Sequence, residues 1–152
     1  MDPVTLYKDY LRDIRLMQLA TCNNGQPWLC NVWYVMDEYE RVYFMSRPDR
    51  RHCKEIETNP FVACTFHKSF EQGLGQPGQA LVIAGKARRL PGEETEAPYT
   101  LYAEAYPRLK KMQNLQEFQD ESGGHVFYEI VPHEIVWWDE VNFPEQSRQK
   151  VR

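Results

Sequence analysis

No long apolar run, no low-complexity tract and no internal repeat occurs in this sequence, and each absence removes a class of protein. Nothing approaches the roughly 20 consecutive apolar residues of a membrane-spanning helix, so no membrane is expected as a partner. Near Met1, the charged Asp2, Lys8, Asp9, Arg12, Asp13 and Arg15 interrupt what would be the apolar centre of a secretory leader, and the expected location is the cytoplasm. A basic excess is missing too. The formal net charge is −4, whereas gripping a phosphate backbone takes a basic face, so no nucleic-acid partner is expected. Cysteine is sparse: Cys22, Cys30, Cys53 and Cys64 form no CxxC pair, which argues against a zinc site or a disulfide framework and for small buried hydrophobes. The scattered His67, His125 and His133 have no metal-ligand spacing, and no metal site is expected.

What is present fits one globular domain over residues 1–152, with 42% hydrophobic and 26% charged residues. Asp2-Pro3 reads as a helix start, followed by Val4, Tyr7, Leu11 and Ile14 at helical spacing. Leu16–Cys22 and Trp28–Met36 read as strands around the turn Asn23-Asn24-Gly25-Gln26, and Arg41–Ser46 holds a third strand. Pro48 and Asp49 are expected to stop that strand and cap a helix whose Cys53 and Ile56 face inward, before Asn59-Pro60 ends it. Phe61–Phe66 and Gln79–Leu90 read as strands flanking the glycine-rich loop 71–78.

Residues 93–112 read as mostly helical, broken at Pro107, with Leu101, Tyr102, Ala105 and Leu109 as the packing face. His125–Val131 and Ile135–Val141 read as two strands or one strand bent at Pro132, in which one of Trp137 and Trp138 faces the core. Strands and helices do not alternate as βαβ units require. The expected fold is mainly β, a six- or seven-stranded antiparallel barrel with helical additions.

Chemistry concentrates where the third strand ends in Ser46 and a helix begins with Arg50, Arg51 and His52. Cations at a helix N-terminus oppose its macrodipole, and a bound anion would resolve the conflict. Free backbone N–H groups, two guanidinium forks and the Ser46 hydroxyl together suit a phosphate. A solvated basic turn paired with Glu55 or Glu57 accounts for the same residues equally well. Cys53 beside His52 could in principle form a nucleophile pair, but sequence neighbours point apart on a helix.

The order Gly25-Gln26-Pro27-Trp28, Val42-Tyr43-Phe44-Met45-Ser46, Arg51-His52, Ile56-x-x-Asn59-Pro60 and Gln79 through Gly85-Lys86-Ala87-Arg88-Arg89-Leu90 resembles the pyridoxamine 5'-phosphate oxidase-like FMN-binding split β-barrels over about residues 15 to 107. The resemblance implies a split barrel that binds FMN. It places the strand carrying Cys30, Asn31, Val32 and Trp33 along the isoalloxazine, largely through main-chain contact. It puts Met45, Ser46, Arg51 and His52 at the ring edge, ribityl chain and phosphate, and Gln79 at a further flavin contact. It also implies a homodimer with flavin sites at the interface, to which Trp137 or Trp138 would be the partner's contribution.

The sequence departs from true pyridoxamine phosphate oxidases at His52 and Val35, where they carry lysines, and in lacking their arginine-rich C-terminal motif. It is therefore closer to small members of the superfamily without an assigned reaction. The implied activity is an FMN-dependent oxidoreductase acting on a small redox substrate that the sequence does not name, with no protein group assigned as catalytic. The alternatives are a non-catalytic barrel that stores or senses FMN, haem or a deazaflavin, and an empty barrel that keeps only its dimer interface.

Overall fold

A computed structural model describes the whole chain, residues 1–152. Helix α1 (Pro3–Leu11) begins as expected: the Asp2 carboxylate accepts from the Val4 and Thr5 amides, both at 3.2 Å, satisfying two N–H groups the helix leaves unpaired. Strands β1 (Leu16–Asn23) and β2 (Gln26–Trp33) form a hairpin. Its turn puts Asn24 and Gly25 at φ 51° and 77°, left-handed values that asparagine and glycine tolerate best.

After a single residue, Tyr34, β3 (Val35–Met36) follows, then β4 (Val42–Ser46), helix α2 (Arg51–Thr58), β5 (Phe61–Phe66) and β6 (Gln79–Arg89). Helices α3 (Glu96–Ala105), α4 (Leu109–Met112) and α5 (Leu115–Gln119) precede the long β7 (Val126–Asp139) and the short β8 (Arg148–Lys150). The strands pair in the order β2-β1-β5-β6-β7-β4-β3, every mapped pair antiparallel, with β8 added beside β7. The two ends of this seven-strand path, β2 and β3, are consecutive stretches of one bent strand. The sheet therefore curls until its ends meet, which makes it a split β-barrel.

Alternation along β1, buried at Met17, Leu19 and Thr21, sends one face inward. The barrel interior is filled by Met17, Leu19, Phe44, Phe66, Leu81, Ile83, Tyr128, Ile130 and Trp137, with Tyr7 of α1 closing one end. Burying each such side chain contributes about 1.5–3 kcal/mol. A second core lies outside the barrel, where Tyr102, Leu109 and Phe118 of α3–α5 pack on Val35, Tyr43 and Phe127. No helix is long and apolar enough to cross a membrane.

Several local expectations change. Asp49 does not cap α2: the N-cap residue is Arg50, and no side chain supplies a cap bond. On α3, Tyr102 is buried as expected and Leu101 and Ala105 pack against the same core only partly buried, while Ala103 joins the buried set. Helix α5 and strand β8 were not anticipated. Residues 126–139 form one strand, and its Pro132 sits opposite Gly85, where the register with β6 shifts. Trp137 is fully buried in the core, while Trp138, partly exposed, lies over Gly78, so only Trp138 remains available to a partner.

Candidate functional site

Strand β4 delivers Ser46 to one end of the barrel, and the turn Arg47-Pro48-Asp49-Arg50 leads into α2, closed by an Arg50 N to Arg47 O bond of 3.1 Å. Helix α2 is oriented by burying Cys53 and Ile56, together with Glu55, whose carboxylate accepts from the Thr21 hydroxyl at 2.7 Å. This turns His52 toward β4, and its Nε2 lies 3.0 Å from the Ser46 Oγ. The first turn of α2 contains no acidic residue, so its N-terminal amides and partial positive charge have no counter-charge from their own helix.

These elements border a groove of about 320 Å³. Asn31, Val32 and Trp33 form its β2 side; Met45, Ser46, Arg47, Arg50 and His52 form the β4–α2 side. Tyr102, Met112 and His125 complete it from α3, α4 and the approach to β7. Two guanidiniums and two imidazoles line the groove and no carboxylate does, although the chain as a whole is acidic. Burial, with Arg50 adding repulsion, holds the His52 imidazole below its ordinary pKa against the opposing pull of Glu55. Burial likewise lowers His125, reinforced by Arg47 and Arg50. Both rings are thereby biased toward the neutral form.

The β2 wall is fixed from outside. The Tyr102 hydroxyl donates to the Trp33 carbonyl at 2.9 Å, and the Tyr106 hydroxyl reaches the carbonyls of Tyr34 and Arg15. Two tyrosines of the α3 segment thus pin the bend at which β2 becomes β3.

Six of the residues expected at the site meet in this groove: Asn31, Val32, Trp33, Met45, Ser46 and His52. Three lie elsewhere. Cys30 is turned toward the barrel core, where burial pushes its thiol up to about 11. Arg51 borders an adjoining polar pocket of about 430 Å³ with Asn23, Asp49, Lys54, Glu55 and Thr58. Its Nε donates to Glu55 at 2.9 Å and its guanidinium carbon lies 3.9 Å from the centre of the Trp28 ring, while its two Nη groups make no hydrogen bond.

Gln79 donates to the buried Asp139 carboxylate at 2.9 Å. It pairs with the last residue of β7, whereas Ser46 pairs with the first, roughly 40 Å of strand away. Cys53 is fully buried, and burial raises its thiol pKa, which removes it as a nucleophile. Arg47, Tyr102, Met112 and His125 were missed by sequence reasoning. Arg47 adjoins the cations that were noticed, but the other three carry no local signal because α3–α5 packing brings them in.

A larger concavity of about 700 Å³ between α1, β3 and α3 includes none of the expected residues. Its charges are largely neutralised: Lys8 pairs with Glu40 at 3.2 Å, Arg12 with Asp9 at 3.0 Å and Asp37 with Arg41 at 2.7 Å. The smaller cationic groove is the better anion site on chemical grounds.

Residues 5–139 match the model of the family described as pyridoxamine 5'-phosphate oxidase. No curated protein matches the chain. Among solved structures, a FAD-binding protein from Mesorhizobium loti is similar at 19% identity and a TM-score of 0.63, with 89% of this chain and 90% of that one covered. The haem storage protein of Vibrio cholerae is similar at 18% identity and a TM-score of 0.67, covering 89% and 94%. A haem-binding protein from Mycobacterium smegmatis gives 16% identity and a TM-score of 0.71; 90% of this chain covers only 54% of that one. Likeness at these identities is likeness of fold.

Proposed function

Since the chain belongs to the pyridoxamine 5'-phosphate oxidase family, we propose that it binds FMN in the groove between β2, β4 and α2 and acts as a flavin-dependent oxidoreductase on a small-molecule substrate. The observation that carries this reading is the carboxylate-free, cationic end of the groove, set beside a strand whose bend is pinned in place. Ser46, Arg50 and His52 offer a hydroxyl, a guanidinium and an imidazole to a phosphate, beside the uncapped amides of α2. Arg51 adds its two free Nη groups from the adjoining pocket. The main chain of Asn31–Trp33 supplies the edge against which a planar ring system would lie.

Bound flavin would supply the two-electron chemistry, and the chain would supply binding, orientation and exclusion of water. The groove, at about 320 Å³, is at the small end for a ligand of this size. A second copy completing it fits the size, and Gln79, distant within one chain, would reach the flavin only from that copy. Pyridoxamine phosphate oxidation itself is disfavoured. Val35 is buried in the second core rather than offered to a substrate phosphate, and an apolar side chain cannot neutralise one.

A haem-binding reading draws on His52, an imidazole at the groove that would be the residue to hold a haem iron, and on the two haem proteins of similar fold. The test of the oxidoreductase reading is anaerobic mixing of FMN-loaded protein with NADH or NADPH, followed by oxygen or a panel of small acceptors. Bleaching of the flavin and its reoxidation by an acceptor support turnover. Flavin that neither nucleotide reduces, or efficient conversion of pyridoxamine phosphate, would refute the reading as stated.

A further inference from the structure

We propose that Arg47 and His125 form a second anion subsite in the groove, which holds the carboxylate or phosphate of a small substrate beside the cofactor; this rests on the FMN reading above. Ser46, Arg50, His52 and Arg51 already suffice for one phosphate monoester, and Arg47 and His125 are surplus to it. Arg47 has only a loose counter-charge: its Nε forms an ion pair with Asp49 at 3.6 Å, too long for a hydrogen bond, and both side chains are exposed enough for solvent to screen the pair. Its guanidinium lies along the turn that carries His125, where a Cβ on Gly124 would come within 3.9 Å of Nη1.

That turn is rigidly built. The buried Gln113 clamps His125 in both directions, accepting from its amide at 3.0 Å and donating to its carbonyl at 2.8 Å. Gly123 packs so closely on the same side chain that a Cβ there would meet it at 2.2 Å. The backbone of His125 is thus held at the groove by Gln113, the residue that ends α4, which fixes the point from which its side chain projects.

No carboxylate lines the groove where Arg47, Arg50 and His125 meet, so the two guanidiniums repel a charged His125, adding to the burial that lowers its pKa. An anion relieves that repulsion. The apolar faces for the rest of such a molecule are present as well: Trp33 and Met112, at the same groove, are 57% and 58% exposed. The subsite therefore selects small organic anions over neutral or cationic substrates.

The test titrates inorganic phosphate into FMN-loaded protein, read by calorimetry and by perturbation of the flavin absorbance, for wild type, Arg47→Met, His125→Asn and the remote control Arg12→Ala. The expected result is saturable binding in wild type and the control, weakened at least tenfold in Arg47→Met and His125→Asn, with FMN affinity unchanged within twofold. Equal phosphate binding in all four proteins overturns the subsite. So does a loss of FMN affinity in Arg47→Met, because Arg47 then belongs to the cofactor grip. FMN uptake is measured first: a chain that takes up no FMN sinks the cofactor reading, and phosphate calorimetry on unloaded protein carrying Arg51→Ala and His52→Asn, which disable the first phosphate grip, still scores the subsite through Arg47→Met and His125→Asn. Thermal melts exclude misfolding, and if one variant fails to fold the other decides.

Discussion

Arg51 is held before any ligand arrives. Glu55 fixes its Nε and Trp28 stacks on its plane, so little freedom remains to be lost when its Nη pair meets a phosphate. Arg51→Ala is expected to weaken FMN binding roughly ten- to a hundredfold, the equivalent of about 1.5–3 kcal/mol for a charge-assisted hydrogen bond. Fluorescence titration checks it, and unchanged affinity would remove Arg51 from the grip.

The two groove histidines set a pH dependence of stability. Both are depressed in the fold, His52 first by burial and then by Arg50, His125 first by burial and then by Arg47 and Arg50. Below the ordinary imidazole value of about 6.5 the unfolded chain therefore binds protons that the folded chain refuses, and stability falls as the pH drops through that value. The flavin-free protein should melt at lower temperature at pH 5.5 than at pH 7.5, and the double variant His52→Asn/His125→Asn should show a shallower fall. An equal fall in the variant would contradict the assignment.

At this scale the sequence was informative where chemistry is local. Ser46, Arg50 and His52 are neighbours in one turn and could be read together. Tyr102, Met112 and His125 reach the groove only because the outer core folds onto β3, β4 and β7, and no spacing announces that.

Among the elements, those with period-2 alternation or paired start and stop residues were legible: the β1–β2 hairpin with Asn24-Gly25 at its turn, β5 to the residue, and α1 behind Asp2-Pro3. Helix α5 was legible in principle. Asn114 and Glu117 form a capping box, but only five helical residues follow, too few for periodicity to register. Strand β8 has no apolar pattern and exists because β7 offers it an edge.

Gly85 shows where an element depends on one residue. It lies opposite Pro132 at the register shift, and a Cβ there would sit 2.4 Å from the Val131 carbonyl oxygen and 3.1 Å from Ile130 Cγ2. The nearest atoms are the Val131 backbone, which cannot rotate away as a flexible side chain could. Gly85→Ala should destabilise the barrel by about 1–3 kcal/mol in urea unfolding. A loss under about 0.5 kcal/mol would show that β6 and β7 can separate there without cost.

For the molecule as a whole, β2 is the anomaly. It is one end of the sheet path, and Trp28, Leu29 and Trp33 are 40%, 61% and 57% exposed on it. Large apolar side chains concentrated on one strand beside a small, open groove are the signature of a surface awaiting a partner, and a two-fold copy of the same chain is the commonest one. Light scattering of the flavin-loaded protein should give twice the 18.1 kDa chain mass. A species at the chain mass with flavin still bound would reject the shared site. The split barrel was legible from the order of motifs, and a homodimer was expected from the same resemblance, whereas the exposure of Trp28, Leu29 and Trp33 becomes visible only once β2 is placed at the end of the path.

That this groove holds FMN is tested most directly by the stoichiometry and identity of the cofactor retained after saturation with FMN and gel filtration. Close to one FMN per chain is expected, with flavin absorbance bands and micromolar or tighter affinity. A protein that emerges without flavin, or that takes up haem with a Soret band while refusing FMN, would contradict it.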